Sequence, residues 1–304
     1  MEKMLNQNKI QEELHGIKIL FAEPLKNFTF TKVGGNADAL IFPKTIEEVR
    51  LIVDYAQKNK IPYLVLGNAS NLIVRDGGIR GFVLMLTDMT EIIVSDKCIT
   101  AQAGAELIDV TKEACKHHLT GFEFACGIPG SIGGAVYMNA GAYDGEIQNI
   151  FTSCEVLLEN GTIETWQLEE MNFSYRHSKA QEQKVVILSA SFHLEKGEID
   201  NIQARMDELT RLRQEKQPLE FPSCGSVFKR PEGYFTGKLI QDANLQGFKY
   251  GGAQISEKHA GFIVNIDNAT ARDYEELIAY IIKVVKEKFD VTLEVEVRII
   301  GESL

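Results

Sequence analysis

The sequence predicts an α+β protein of two or three packed subdomains. At 304 residues the chain is too long for one small core. Several stretches place apolar residues at the spacing of an amphipathic helix. Another stretch, "CEVLLENGTIETWQL", has Asn160 and Gly161 between two β-rich runs, which indicates a hairpin of antiparallel strands. Helices and antiparallel strands in separate stretches are typical of this class.

The first helix and strand are predicted from residue 45 onward. Thr45 and Glu48 form the pattern of a capping box, and the apolar residues after them recur at helical spacing. Pro62 then precedes the apolar run "YLVLG". We therefore expect a helix that leads into a buried strand.

Three further helices are predicted along the chain. The stretch "GAELIDVTKEACKHHLTG" has helical spacing, with Gly121 where a helix commonly ends. His117 and His118 near that end are better explained as charges favoured by the helix dipole than as metal ligands. A third pattern starts near residue 199 and ends before Pro218, and a fourth begins with Thr270 as its N-cap.

The last element predicted is a strand in "VTLEVEVRIIGE". Its apolar residues alternate strictly with polar ones, which assigns a buried face to Val291, Leu293, Val295, Val297 and Ile299. The other face carries Glu294, Glu296 and Arg298. That charged face is either a solvated surface or the floor of a cleft.

The charge of the chain argues against nucleic acid and anionic membranes as partners. Its formal net charge is −11, whereas such partners require a basic surface. An anionic ligand must therefore meet a local basic pocket. The amino-terminal "MEKMLNQNKIQEELHG" lacks the apolar stretch of a signal peptide, and the longest apolar runs are too short to span a bilayer. We expect a cytoplasmic protein.

The cysteines and histidines do not suggest a metal site or disulfides. The five cysteines are odd in number and include no CxxC pair, so we expect reduced thiols. The six histidines lack the HExxH spacing that would place two of them on one helical face. We expect no metal.

The stretch "FPSCGSVFKRP", residues 221–231, places Ser226 close to two cations. Pro, Ser and Gly are turn formers, so one interpretation is a solvated surface turn. The other is a hydroxyl positioned next to Lys229 and Arg230 for chemistry on an anionic substrate.

Two glycine-bearing loops are candidate ligand sites. "LGNASNLIVRDGG", residues 66–78, follows a strand, and "ACGIPGSIGGAVYMNAGAYDGE", residues 125–146, has six glycines. Bare backbone lets N–H groups converge on an anion. The first loop has no GKS or GKT, and the GxGxxG fingerprint is absent, so neither a P-loop nor a Rossmann site is supported. From the residues alone, ordinary tight turns remain the alternative.

Six motifs in sequence order resemble those of the UDP-N-acetylenolpyruvoylglucosamine reductase family. They are "TKVGG", "LGNASNLIV", "GIPGSIGGAVYMNAGAY", "SYRHS", "GSVFKRP" and "LEVEVRIIGE", and the resemblance runs from about Asn27 to Glu302. Members of this family are NADPH-dependent flavoproteins that reduce an enolpyruvyl ether in bacterial peptidoglycan synthesis. The resemblance therefore implies a UDP-sugar substrate and the product UDP-N-acetylmuramate.

The resemblance also implies the fold and the cofactor. The fold is an α+β fold of the vanillyl-alcohol-oxidase type, in which two subdomains hold FAD and a carboxyl-terminal α+β domain covers the substrate. The expected boundaries are 1–90 with an amino-terminal helical segment, 91–196 and 197–304. FAD would be bound without a covalent link, because "GNASN" has no histidine or cysteine. The implied cofactor-binding residues are Gly67, Asn68, Ala69, Ser70, Asn71, Leu72, Gly127, Ile128, Pro129, Gly130, Ser131, Gly133, Gly134, Asn139, Ala140 and Gly141.

Three catalytic residues follow from the same resemblance. Ser226 would give a proton to the carbon next to the substrate carboxylate, after reduced FAD has passed hydride to the methylene carbon. Arg176 would stabilise the charge that gathers on the carboxylate, and Glu296 would assist from the opposite face. The implied contacts to the UDP diphosphate and nearby groups are Tyr175, Lys229 and Lys238, with Arg230 and Arg213 close by.

One departure from the family pattern limits what can be transferred. Some members carry a long insertion after the serine motif, with a tyrosine that closes over the substrate. Here only "EGYFTG" separates Pro231 from Lys238, which is the pattern of a shorter branch. Two alternatives to the reductase are an oxidase of the same flavin fold and a non-catalytic nucleotide-binding module. The module would not need Ser226, Arg176 and Glu296 together.

Overall fold

The protein, described here by a computed structural model over residues 5–304, forms two compact units. The first unit consists of residues 5–21, Asp38–Asn68 and Gly81–Arg213. The second consists of Ala22–Ala37, Ala69–Arg80 and Gln214–Leu304. The division of the chain at residues 90 and 196 stays a prediction. The first four residues of the amino-terminal segment lie outside the described residues.

The four longer helices are close to those expected from apolar spacing, whereas α4 and α6 were not predicted. In the described residues they are α1 (Gln7–Glu13), α2 (Ile46–Lys58), α3 (Leu107–Lys116), α4 (Ile132–Tyr137), α5 (Ile199–Lys216), α6 (Thr236–Asp242) and α7 (Ala271–Phe289). The predicted helices from residue 45, near residue 199 and from Thr270 are confirmed as α2, α5 and α7. None of the helices within residues 5–304 combines the length and hydropathy that a bilayer crossing requires.

The strands are short and numerous. In the first two thirds of the chain they are β1 (Lys18–Pro24), β2 (Asn36–Phe42), β3 (Tyr63–Leu66), β4 (Leu72–Val74), β5 (Ile79–Met85), β6 (Ile92–Ser95), β7 (Cys98–Gln102), β8 (Leu119–Thr120), β9 (Gly141–Ala142), β10 (Gly145–Glu146), β11 (Phe151–Leu158), β12 (Ile163–Gln167), β13 (Val185–His193) and β14 (Glu195–Lys196). The later ones are β15 (Ser223–Ser226), β16 (Lys249–Tyr250), β17 (Ala253–Ile255), β18 (Phe262–Asn265) and β19 (Arg298–Ile300).

The first unit is built on two larger sheets. One has the order β12-β11-β13-β7-β6 with antiparallel neighbours, and the predicted hairpin around Asn160 and Gly161 is confirmed as β11 and β12. The other has the order β1-β2-β5-β3 and lies mainly in this unit, with β3 parallel to β5. The apolar face of α2 is buried in a core formed with strands of this second sheet. Alternating apolar side chains of β2 and β5 contribute to that core, together with side chains of α1, β11 and β13.

The second unit has a four-stranded antiparallel sheet in the order β15-β18-β17-β16. Its core is formed with the buried stripe of α7, which contains the predicted Tyr274, Leu277, Ile278, Ile281 and Val285. A separate parallel pair joins β19 to β4, two segments more than 220 positions apart in sequence. Segment 69–80 is therefore part of this unit although it lies far in sequence from Gln214–Leu304, the largest part of the unit.

The amino terminus of α7 is capped from that distant segment. Asp76 accepts hydrogen bonds from the amides of Ala271 at 3.0 Å and Arg272 at 3.1 Å, one on each carboxylate oxygen. Arg75 donates two parallel hydrogen bonds to Glu275, at 3.0 and 3.1 Å. Charged groups in this geometry form the stronger class of hydrogen bond, and a carboxylate is favoured at a helix amino terminus. These contacts attach segment 69–80 to α7.

Three details of the sequence prediction are corrected by the structure. The helix α3 ends at Lys116, and His118, not Gly121, is the left-handed residue that follows it (φ +59°). The alternation from Val291 to Ile299 does place the apolar side chains in the core, but regular strand pairing is confined to β19. Glu48 accepts from the amide of Lys44 at 2.6 Å and not from Thr45, so the capping box is half formed.

Candidate functional site

A bulge in β15 turns Ser226 away from the core. Between Ser223 and Ser226 the chain advances three residues while its partner β18 advances two, so one extra residue is accommodated. Gly225 takes the left-handed conformation within the bulge (φ +79°), which is where a glycine is favoured. Cys224 is buried, and burial raises its pKa to about 12. In a regular strand Ser226 would face the same way as Cys224, but it is exposed.

Glu296 lies on the segment that runs beside Ser226. The amide of Glu296 donates to the carbonyl of Val227 at 2.8 Å, and Phe228 forms an antiparallel bridge with Val295. One step further, the amide of Lys229 donates to the carbonyl of Glu294 at 2.9 Å. Segments 226–229 and 294–297 therefore run antiparallel with paired backbones. The structure brings together Ser226, Glu296 and Lys229 within the second unit.

The two predicted substrate-binding lysines are held by exposed carboxylates. Lys229 lies 3.2 Å from Glu294, whose side chain is 71% exposed. Lys238 pairs with Asp242 at 2.5 Å within α6. Exposed ion pairs of this kind contribute little to stability and exchange readily for another anion. The hydroxyl of Thr236, at the start of α6, donates to the carbonyl of Lys229 at 3.0 Å and ties the two lysine-bearing segments together.

Arg176 lies at a tight turn in the first unit. Ser174 and His177 exchange backbone hydrogen bonds at 3.2 and 3.1 Å, so Tyr175 and Arg176 form the tip of the turn. Arg176 is left-handed (φ +57°), and its guanidinium donates to the carbonyl of Gly141 at 3.4 Å. A non-glycine residue in this conformation is a strained position of the kind that clusters at functional sites. The predicted catalytic arginine thus contacts the end of the second glycine loop.

Asn139 holds that loop in shape. It is fully buried with a left-handed backbone (φ +40°). Its side-chain amide donates to Glu146 and to the carbonyl of Ser174, both at 3.1 Å, and its carbonyl oxygen accepts from the amide of Gln148 at 3.0 Å. These bonds engage both N–H groups of the side chain. Asn139 therefore links the turn that carries Arg176 to the glycine loop by its side chain.

The two glycine loops meet within the first unit. A Cβ atom on Gly67 would lie 2.0 Å from the hydroxyl oxygen of Ser131, so only glycine allows this approach. The side-chain amide of Asn68 donates to the carbonyl of Pro129 at 3.3 Å. Ser131 is buried and caps the amino terminus of α4. The prediction that both loops serve one ligand is consistent with this contact.

The first glycine loop also presents backbone donors. Within the described residues, the backbone N–H groups of Asn68, Ser70 and Asn71 donate no hydrogen bond to the protein. Ala69 between them has a left-handed backbone (φ +48°). Successive N–H groups around a left-handed residue form a concavity that binds anions. The loop therefore fits the pyrophosphate of a dinucleotide such as FAD.

Comparison with known proteins agrees with this geometry. Residues 37–167 match the family model described as FAD binding domain. Residues 217–300 match the model described as UDP-N-acetylenolpyruvoylglucosamine reductase, C-terminal domain. The fold is thus an FAD-binding domain of the vanillyl-alcohol-oxidase type with the carboxyl-terminal domain of the reductases, which confirms the predicted fold class.

Similar proteins cover nearly the whole chain. The UDP-N-acetylenolpyruvoylglucosamine reductase of Enterococcus faecalis is 65% identical over 300 residues, which is 99% of this chain and 100% of that protein. The enzyme of Streptococcus pyogenes is 59% identical, covering 96% of this chain and 99% of the other. The crystal structure of the Thermus caldophilus enzyme is 33% identical with a TM-score of 0.80, covering 94% of this chain and 99% of that one. The chain belongs to the UDP-N-acetylenolpyruvoylglucosamine reductase family.

Proposed function

We propose that Ser226, Glu296 and Arg176 carry out the reaction of this family in this protein. The protein is an FAD-containing oxidoreductase that acts on a UDP-sugar with NADPH. It reduces the enolpyruvyl ether of UDP-N-acetylglucosamine enolpyruvate to UDP-N-acetylmuramate in peptidoglycan synthesis. The residue roles are the part that we infer from geometry.

The bulge at Gly225 is the observation that supports Ser226 as the proton donor. A hydroxyl that acts on a substrate must leave the core, and the bulge gives Ser226 this orientation while Cys224 stays buried. The paired backbone of segment 294–297 holds Glu296 at the adjoining position. A hydroxyl with a carboxylate carried on a fixed neighbouring segment suits general acid catalysis.

The chemistry divides between the cofactor and the chain. When bound, FAD accepts two electrons from NADPH and supplies the hydride that reaches the methylene carbon. Ser226 donates the proton to the carbon next to the substrate carboxylate, so that the double bond gains one hydride and one proton. Arg176 stabilises the negative charge that gathers on that carboxylate when hydride has been added and before the proton arrives. Glu296 accepts or donates a hydrogen bond that orients the reacting groups.

The binding residues follow from the charges of the ligands. We assign residues 67–72 and 127–141 to FAD, bound without a covalent link, because their backbone donors suit a pyrophosphate. We assign Lys229, Lys238 and Tyr175 to the UDP-sugar, since an exposed ammonium group pairs readily with a diphosphate. Both NADPH and UDP-sugars are nucleotides of the cytoplasm, and we propose that the enzyme works there.

The decisive experiment separates the two half-reactions in a Ser226→Ala variant. Reduction of FAD by NADPH needs no proton from the serine, so it should stay as fast as in the wild type. Reoxidation by the enolpyruvyl sugar should slow by at least about a hundredfold, because a positioned general acid supplies roughly 10² to 10⁴ in rate. Stopped-flow absorbance of the flavin measures both steps.

A matched control comes from the same strand. Ser223→Ala removes a hydroxyl from β15 outside the proposed site and should leave both half-reactions unchanged. Equal slowing of both steps in Ser226→Ala would assign the serine to the shape of the turn. Calorimetric titration with the UDP-sugar gives a second test, since an oxidase of the same fold would not bind it specifically.

A further inference from the structure

Arg213, near the end of α5, lies directly over the second glycine loop. A Cβ atom on Gly127 would come within 2.8 Å of Cδ of Arg213, 3.6 Å of Nε and 3.7 Å of Nη1. The stem and guanidinium of the arginine therefore cross the bare backbone at the first glycine of residues 127–141. Any larger residue at position 127 would displace the arginine, so the glycine and the arginine form one arrangement.

Packing holds this arrangement in place. The thiol of Cys126 donates to the carbonyl of Met206 at 3.5 Å and lies 3.7 Å from the hydroxyl of Thr210, both on α5. Cys126 and Met206 belong to one buried apolar cluster, against which Tyr143 packs. The position of Arg213 thus follows from a fixed contact between α5 and the loop.

The positive charge of Arg213 is not balanced by its neighbours. Within the described part of the chain, the ionisable groups that act on it are Tyr143 and Cys126, and no carboxylate is among them. Burial raises the pKa of Tyr143 above 10.0 and that of Cys126 above 9.0, so both are neutral at pH 7. Burial lowers the pKa of Arg213 from 12.5, but a guanidinium stays protonated at neutral pH. A half-buried cation without a counter-charge is costly.

The proposed cofactor loops lack positive charge of their own. Residues 67–72 and 127–141 contain no lysine or arginine. Arg176 contacts the loop at its far end, through Gly141, and has a role in the proposed catalysis. FAD brings a pyrophosphate with two negative charges, and its ring gains negative charge on reduction. Arg213 therefore places an unbalanced positive charge next to loops that would bind an anionic cofactor and contain no cation themselves.

We propose that Arg213 binds an anionic oxygen of FAD, supplying the positive charge that the glycine loops do not contain. This inference rests on the assignment of residues 127–141 to the cofactor, and it replaces the sequence-based expectation that Arg213 lies close to the UDP diphosphate. The anionic oxygen belongs either to the pyrophosphate, which is charged in both redox states, or to the isoalloxazine ring, which is charged when reduced. The two sources differ in their effect on the redox potential.

An Arg213→Met variant distinguishes the sources by equilibrium measurements. Apoprotein is titrated with oxidised FAD by calorimetry, and the midpoint potential of the reconstituted protein is measured by spectroelectrochemistry. If the pyrophosphate is the partner, affinity for FAD falls by roughly ten- to a hundredfold and the potential is unchanged. If the reduced ring is the partner, affinity for oxidised FAD is kept, and the potential falls by about 30 mV for each tenfold loss in binding of the reduced form.

Two further variants and a control complete the test. Arg213→Lys should show a smaller change in FAD affinity or midpoint potential than Arg213→Met. Gly127→Ala should show a change like that of Arg213→Met, because the guanidinium is retained but displaced. Arg205→Met removes an exposed arginine of the same helix that pairs with Glu208, and it should change neither quantity. If Arg213→Met fails to fold, the lysine and alanine variants still report on the charge and its position.

The stability of the apoprotein separates a binding role from a structural one. Because Arg213 lacks a counter-charge in the protein, its replacement by methionine should leave the melting temperature of the apoprotein unchanged or raise it. The inference is overturned if neither FAD affinity nor potential changes, or if only affinity for the UDP-sugar or NADPH changes. These measurements are independent of the Ser226→Ala kinetics. A negative result for Arg213 would leave the proposed reaction unaffected, and a negative result for Ser226 would leave the proposed role of Arg213 unaffected.

Discussion

The backbone amide of Glu296 donates a 2.8 Å hydrogen bond to the carbonyl of Val227, the residue after Ser226. This bond joins the segment with the proposed proton donor to the segment with the proposed catalytic carboxylate. Because only backbone atoms take part, either side chain can be replaced while the frame is kept. The effects of such replacements therefore report on chemistry rather than on folding.

Glu296→Gln should lower the rate of UDP-sugar reduction by roughly 10² or more, since a catalytic carboxylate is exchanged for an amide of the same shape. The melting temperature should barely move, because the apolar side chains on either side remain in the core. Steady-state kinetics and calorimetric melting check the two statements. Activity near that of the wild type would assign the charged face of this segment to solvent.

Lys229→Ala should weaken UDP-sugar binding by about ten- to a hundredfold, the value of a charge-assisted hydrogen bond. Reduction of FAD by NADPH should change less. Glu294→Gln is the matched variant, because it removes the exposed partner of Lys229 and should leave the affinity equal or higher. Calorimetric titration measures both. Unchanged affinity in Lys229→Ala would remove this lysine from the binding site.

Gly225→Ala should reduce stability by about 1–2 kcal/mol, because an alanine must adopt the left-handed conformation. No atom lies within 4 Å of the new methyl group, so the loss comes from backbone strain. Reoxidation by substrate should slow as well, since the bulge orients Ser226. Gly233→Ala has a similar φ (+74°) and the same open space. Gly233→Ala should lose a similar amount of stability in urea unfolding and keep the wild-type rate of reoxidation by substrate. If reoxidation is equally fast in both variants, the bulge has no role in proton transfer.

The half-buried imidazole of His259 should make stability sensitive to acid. Burial lowers the pKa of His259 below 6.5, and its Nδ1 accepts from the amide of Gly261 at 3.1 Å. The folded state therefore binds a proton less readily than the unfolded state. Its contribution to stability is complete above pH 6.5 and is lost as the pH falls through the lowered pKa.

The variant that tests this titration is His259→Asn, whose side-chain oxygen can still accept from Gly261. The difference in unfolding free energy between pH 7.5 and pH 5 should be smaller in this variant than in the wild type. His15→Asn, at an exposed histidine, should keep the wild-type difference. An unchanged pH dependence in His259→Asn would show that other groups cause the acid sensitivity.

Local signals in the sequence predicted the four longer helices well. Apolar spacing and N-caps determine a helix from neighbouring residues, as at Thr45 and Thr270, whose side chains accept from Glu48 and Asp273. The motif order likewise identified the two glycine loops, which contact each other in the structure. Both kinds of signal are contained within one continuous stretch of chain.

Features that depend on distant partners were not predicted. The bulge at Gly225 arises from the register between β15 and β18, and the sequence "CGS" does not specify that register. Segment 291–297 alternates like a strand, but its neighbours provide only an isolated bridge and a few backbone bonds. The cap that Asp76 gives to α7 comes from a residue 195 positions away. Such contacts follow from the tertiary arrangement, which local patterns do not contain.

The pairing of β4 with β19 sets an order of events during synthesis. Residues 69–80 leave the ribosome early, yet their strand partner is Arg298–Ile300 and their helix partner is α7. Before those later residues emerge, only segment 22–37 of the same unit can support the loop proposed to hold the pyrophosphate, as in the hydrogen bond from the amide of Phe30 to the carbonyl of Ala69 at 3.3 Å. A nascent chain of 250 residues or so therefore cannot complete this loop, since contacts of such separation close last. Loading of the cofactor therefore becomes a late step in synthesis, after Arg298–Ile300 have emerged.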